Sequence, residues 1–131
     1  MSKYKIIAGL PVYVWSTRWR PLSGGLRQPH PELRLKVGLF RMLLGATPVY
    51  LGCATEFANG GLSKRLGDFT RPGHGARNHH AGVLIHEHRD QVEIELIVTG
   101  NDHAAATTAK RLKEAFLALD RPPWNVPVRR R

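Results

Sequence analysis

Cysteine is almost absent from this chain, with Cys53 standing alone among 131 residues. One thiol excludes an intramolecular disulfide and fits a reducing compartment, so the expected location is cytoplasmic. Long apolar runs are missing as well. No stretch approaches the ~20 residues that cross a bilayer, so neither a spanning helix nor a membrane partner is expected. The opening Met1-Ser2-Lys3-Tyr4-Lys5-Ile6-Ile7 has no long apolar core and no small-residue cleavage site, which argues against a secretory signal. Acidic residues are scarce: ten Asp and Glu face twenty Lys and Arg, for a formal net charge of +10. Arg is the commoner cation, and its planar fork suits phosphate oxygens. This balance points to a polyanionic partner, nucleic acid first, with an acidic protein as the alternative. It carries no information about catalysis.

The length suits one domain with a hydrophobic core of its own. Residues 1–35 read as a basic, Pro- and Gly-rich extension. Tyr4–Ile7 and Val12–Trp15 are short β-prone runs. From Trp15 to Leu35 the density of Pro, Gly and Arg predicts a loop or arm. Within it Arg18 and Arg20 interleave with Trp15 and Trp19. These rings either stack on bases or anchor the arm to the core.

Leu35–Met42 and Thr47–Gly52 predict a β-hairpin, with Gly45 and Pro48 in the link between them. Leu62–Phe69 predicts a short amphipathic helix bearing Lys64 and Arg65. Thr70–Gly82 reads as a polar loop. Val83–His88 and Gln91–Thr99 predict further β structure, the second with strict alternation from Val92 to Val98. Asn101-Asp102 should cap a helix over His103–Leu119. Its Ala105, Thr108, Leu112, Ala115, Phe116 and Leu119 should face the sheet. Pro122 and Pro123 end it, Trp124-Asn125 docks afterwards, and residues 127–131 form a basic tail. No internal repeat is visible. The order predicts an α+β fold, with helices on a small, mainly antiparallel sheet.

Two triplets carry the chemistry, Gly38-Leu39-Phe40 and Tyr50-Leu51-Gly52. After them come Gly61-Leu62-Ser63-Lys64-Arg65-Leu66, then Glu114 with Phe116-Leu117, then Arg121-Pro122-Pro123-Trp124-Asn125. In this order and rough spacing, the set resembles the GIY-YIG nuclease superfamily, in both its excision-repair and restriction-type branches. The resemblance covers residues 36–126. It implies a small mixed sheet flanked by helices, with the triplets on neighbouring strands. It also implies DNA as the partner and endonucleolytic hydrolysis of phosphodiesters with one divalent metal, Mg²⁺ or Mn²⁺.

On that resemblance Glu114 would hold the metal through a hard carboxylate. Arg65 would neutralise the non-bridging oxygens as charge builds. Tyr50 would orient or deprotonate the attacking water. Asn125 would support the site. Lys64, Arg71, Arg77, Arg18 and Arg20 are the expected nucleic-acid contacts. Without the joint pattern these residues have ordinary roles: Tyr50 a sheet aromatic, Arg65 a solvated cation, Glu114 an i,i+4 partner for Lys110.

The sequence also departs from the family. Phe40 ends the first triplet where the family has Tyr, and a phenyl ring cannot bind water. Phe69 stands four residues after Arg65, where His or Tyr is usual. Cys53 follows the second triplet, where several branches carry Lys. The interval from Glu114 to Asn125 is about one residue short, and Glu114 lies off the apolar stripe of its helix. Six histidines fall between His74 and His103. His74, His79 or His80 could replace a missing base. His86 and His88, two apart on an expected strand, should share a face. None of these spacings matches a closed zinc site. The alternative reading is therefore a GIY-YIG-fold nucleic-acid-binding protein with weak or absent cleavage. No second specificity domain is apparent, and the oligomeric state is not legible.

Overall fold

The computed structural model describes residues 2–71 and 80–126. In chain order the elements are β1 (Ile6–Ile7), β2 (Leu10–Pro11), α1 (Val12–Trp15), β3 (Arg20–Pro21), β4 (Val37–Leu44) and β5 (Thr47–Ala54). They continue as α2 (Gly61–Asp68), α3 (His80–Glu87), β6 (Glu93–Gly100) and α4 (His103–Leu119). Single 3₁₀ turns cover Pro31–Leu33 and Pro123–Asn125. The four-stranded sheet has the order β3-β6-β4-β5, and every described pairing in it is antiparallel. This is an α+β fold, as the element order predicts.

β4 is the central strand, and its side chains divide the core into two layers by strict alternation. Leu39 points to one side, where Leu51, Ile97 and the α4 residues Leu112 and Ala115 pack. Phe40 and Met42 point to the other, against Leu62 and Leu66 of α2, Ile85 of α3, and Ile94 and Leu96 of β6. The two triplets are cross-strand partners: Gly38 lies opposite Ala54, and Phe40 opposite Gly52. Both glycines have a packing reason. A Cβ on Gly38 would come within 2.1 Å of the Ile97 carbonyl oxygen, at a φ of +157° and next to a register shift against β6. A Cβ on Gly52 would meet the tip of the Phe40 ring at 2.5 Å. The glycine of the second triplet is thus the floor on which the aromatic of the first triplet lies.

Residues from the basic N-terminal stretch enter this core. Leu26 and Leu33 are buried beside Phe40 and Leu62, and Arg20–Pro21 adds an edge to β6. The tryptophans anchor. Trp15 Nε1 donates to the Ile7 carbonyl at 2.8 Å, while Trp19 lies against Phe116 and under the Arg41 guanidinium, 4.5 Å from its centroid. Val12–Trp15, expected as β, is instead one helical turn. Pro11 immediately before it fixes a φ of −63°, and the turn buries Val12 against the α4 layer. β propensity is a weak preference, and this burial outweighs it.

The second correction concerns Val83–His88, expected as a strand. Val83 to Glu87 belong to α3, which also takes in His80–Gly82 from the expected loop and buries Gly82 and Ile85, the latter on the α2 side of the sheet; His88 follows the helix. A short apolar run fits a strand or a helix equally, and here packing decides. His86 and His88 consequently do not share a face, since two residues advance about 200° around a helix. His86 Nδ1 donates to the Phe69 carbonyl at 3.0 Å, and His88 packs its ring on Trp124. At α4 the Asp102 side chain accepts from the Ala105 N–H at 2.9 Å, the expected cap. The buried stripe is Ala105, Ala106, Ala109, Leu112 and Ala115, whereas Leu119 is 43% exposed.

Candidate nucleic-acid site

Tyr50 sits on β5 as one corner of a three-ring cluster. Its centroid lies 6.1 Å from Phe40 and 6.3 Å from Phe69, and those two are 6.0 Å apart. Phe40 and Phe69 are buried and carry no hydroxyl, so the only one in this cluster is that of Tyr50. Burial raises the phenol above its ordinary value, partly offset by Arg65 and reinforced by Cys53. At neutral pH the group is therefore a protonated donor.

Arg65 projects from α2 beside Tyr50. Its guanidinium donates to Glu56 Oε2 at 3.0 Å, and both side chains are partly exposed. Glu56 lies in the loop that leaves β5, so the acid next to Arg65 comes from that loop and not from α4. Cys53 lies between them on β5. Burial raises its thiol, Lys113, Arg65 and Lys110 lower it, and Glu56 raises it. Two helices therefore contribute cations around the end of one strand.

Glu114 lies elsewhere. It is exposed, and at 100° per residue it lies about 180° around α4 from the buried Ala105. The structure brings Tyr50 and Arg65 together and leaves Glu114 on the solvent face. Asn125 reaches the second triplet from the opposite chain end. Its Oδ1 accepts from the Leu51 N–H at 2.8 Å, and its Nδ2 donates to the Leu51 carbonyl at 2.9 Å. β5 is the outermost strand on this side, so Asn125 acts as a one-residue strand partner and satisfies its free edge.

The remaining candidates are dispersed. Lys64 is exposed on α2, next to Arg65 in sequence. Arg71 is exposed and paired with Asp68 at 3.1 Å. Arg18 and Arg20 belong to the β3 edge, three strands or about 14 Å from β5. His74, His79 and Arg77 lie outside the described residues. The sequence reading missed Glu56, Lys110 and Lys113.

Four solved structures of one domain superpose on this chain, and three represent them. The GIY-YIG N-terminal endonuclease domain of UvrC from Thermotoga maritima, bound to magnesium as its catalytic divalent cation, matches with a TM-score of 0.56. The identity is 24%, over 80% of this chain and 100% of that one. A tyrosine-to-phenylalanine point mutant of that domain, bound to its cation, matches with TM-score 0.55 and 25% identity over 80% and 99%. A second such mutant gives 0.54 and 24% over the same shares. The chain has the GIY-YIG fold. No protein-family model and no curated protein matches it. At these identities the likeness concerns the fold, and the magnesium belongs to the UvrC domain.

Whether a divalent cation suits the Tyr50–Arg65 site of this GIY-YIG fold depends on its donors. Magnesium requires hard oxygen ligands, usually one or two carboxylates. Here Glu56 is engaged by Arg65, Glu114 faces solvent, and the nearby α4 side chains are ammonium groups. Among the described residues no three His, Cys, Asp or Glu side chains gather in a metal-holding group. The carboxylate beside Arg65 is thus Glu56, and it is held in an ion pair with that guanidinium.

Proposed function

We propose that this protein binds nucleic acid, DNA first, by gripping the phosphodiester backbone at the Tyr50–Arg65 site of its GIY-YIG fold. The observation that carries this reading is the partly exposed Arg65 guanidinium of α2 beside Tyr50 of β5, on a chain of net charge +10. Arg65 offers its planar fork to phosphate oxygens, and the protonated Tyr50 hydroxyl can donate to the same group. The three-ring cluster behind them gives that hydroxyl a fixed position. Fluorescence anisotropy with labelled single- and double-stranded DNA, and with RNA, tests it. Binding should weaken steeply between about 50 and 200 mM salt, because phosphate contacts release counterions. Arg65→Ala should lose affinity for every sequence alike. Absence of binding at low salt, or binding indifferent to salt, would overturn the proposal.

A second reading, metal-dependent DNA cleavage through Glu114 with Mg²⁺ or Mn²⁺, draws support from the endonuclease domains that share the fold. Plasmid and single-stranded DNA incubated with either ion test it. Cleavage lost in Glu114→Ala would establish that reading. Intact DNA, or cleavage unchanged by the substitution, would remove it.

A further inference from the structure

α4 divides its charged residues by angle. Taking the buried Ala105 as the inward direction, Lys113 lies roughly 80° around the helix, Lys110 roughly 140° and Glu114 roughly 180°. Ala106, at roughly 100°, lies on the lysine flank. It packs with Val37 and Phe57, and Phe57 directly follows Glu56. Cys53 on β5 packs in the same layer as Leu112. That flank of α4 therefore faces the end of β5 and the loop bearing Glu56. Lys113 is half-buried there, while Glu114 one residue later is exposed. Arg65 approaches the same strand end from α2, on the other side of the sheet, and meets Glu56 at 3.0 Å.

We propose that Lys113 and Lys110 of α4, with Arg65 of α2, form a phosphodiester cradle that binds nucleic-acid backbone without a divalent cation. The proposal rests on the nucleic-acid reading above and specifies how that site is charged. Three cations and the Glu56 carboxylate leave a net positive charge, which attracts phosphate and repels a metal ion. The ammonium groups are mobile point charges with three donors each, whereas Arg65 supplies a directional fork. The backbone phosphate would compete with Glu56 for that fork.

Anisotropy with a fluorescein-labelled DNA duplex of about 20 base pairs, in EDTA and then in Mg²⁺, tests the cradle. Wild-type binding should persist in EDTA and weaken in Mg²⁺, which competes for the phosphates as any cation does. The Lys110→Ala/Lys113→Ala double variant should bind about tenfold more weakly at low salt, with the salt slope reduced by about two. Lys113→Arg should keep the slope, and thermal melts would report whether each variant folds. The free protein should show no saturable Mg²⁺ binding by calorimetry. A double variant with wild-type affinity and slope, or wild-type binding abolished by EDTA, would overturn the cradle alone. Saturable Mg²⁺ binding that Glu114→Ala removes would overturn it too. No binding by wild type at low salt would sink the nucleic-acid reading and the cradle together.

Discussion

Gly52 and Phe40 face each other with no spare volume between the glycine and the ring tip. Gly52→Ala should therefore force the ring out of place and cost about 1–3 kcal/mol, as overpacking does. Urea unfolding measures this as a lower midpoint at unchanged slope. Tyr50 and Cys53 set the response to alkali. Both are held above ordinary values of 10.0 and 9.0, chiefly by burial. Their neutral forms are thus favoured in the folded chain, and their stabilising effect is complete below those ordinary values. As pH rises past about 9, the unfolded chain loses these protons first and stability declines through the folded pKa values. Tyr50→Phe should remove the phenol's share of that decline, readable as a shallower fall of Tm with pH.

At the scale of elements, the Asn125 clamp joins the turn after α4 to the edge of β5. Asn125→Ala leaves the Leu51 N–H and carbonyl without their partner and should cost about 1–3 kcal/mol. Hydrogen exchange at the Leu51 amide should accelerate more than exchange at the centre of β4. An unchanged Leu51 rate would contradict the clamp. Most elements were legible because their apolar residues repeat at a defined period, as in β6, or carry a cap, as at Asp102. α3 was not, because Ala81–Ile85 is apolar without a period that separates strand from helix. Val12–Trp15 misled because its residue types favour β while Pro11 and burial favour a turn. Within the site, the triplets, Arg65 and Asn125 stood out as residue types in order. Glu56 did not, because a carboxylate in a loop has no pattern before the fold brings Arg65 to it. Lys113 was passed over for the adjacent carboxylate, although the short interval from Glu114 to Asn125 and the helical angle both pointed one residue earlier.

Across the whole molecule, the basic residues fall into separate regions. The Arg65–Lys113 region surrounds the end of β5, while Arg18 and Arg20 lie at the opposite edge of the sheet. Charge far from a site raises the local concentration of a polyanion more than it strengthens the final grip. On the proposed nucleic-acid reading, the β3 arginines would suit capture and the β5 region retention. No described helix is long and apolar enough to cross a membrane.

The hydrogen bonds between Asn125 and Leu51 also bear on how the protein reaches its folded state. They join residues 74 positions apart in sequence. Closing so long a loop is entropically costly, so contacts of this span slow folding relative to the neighbouring β4–β5 hairpin. The hairpin can form from local sequence alone, with its outer strand unpaired. Until the Pro123–Asn125 turn docks, the Leu51 N–H and carbonyl on that outer strand stay open to another partner.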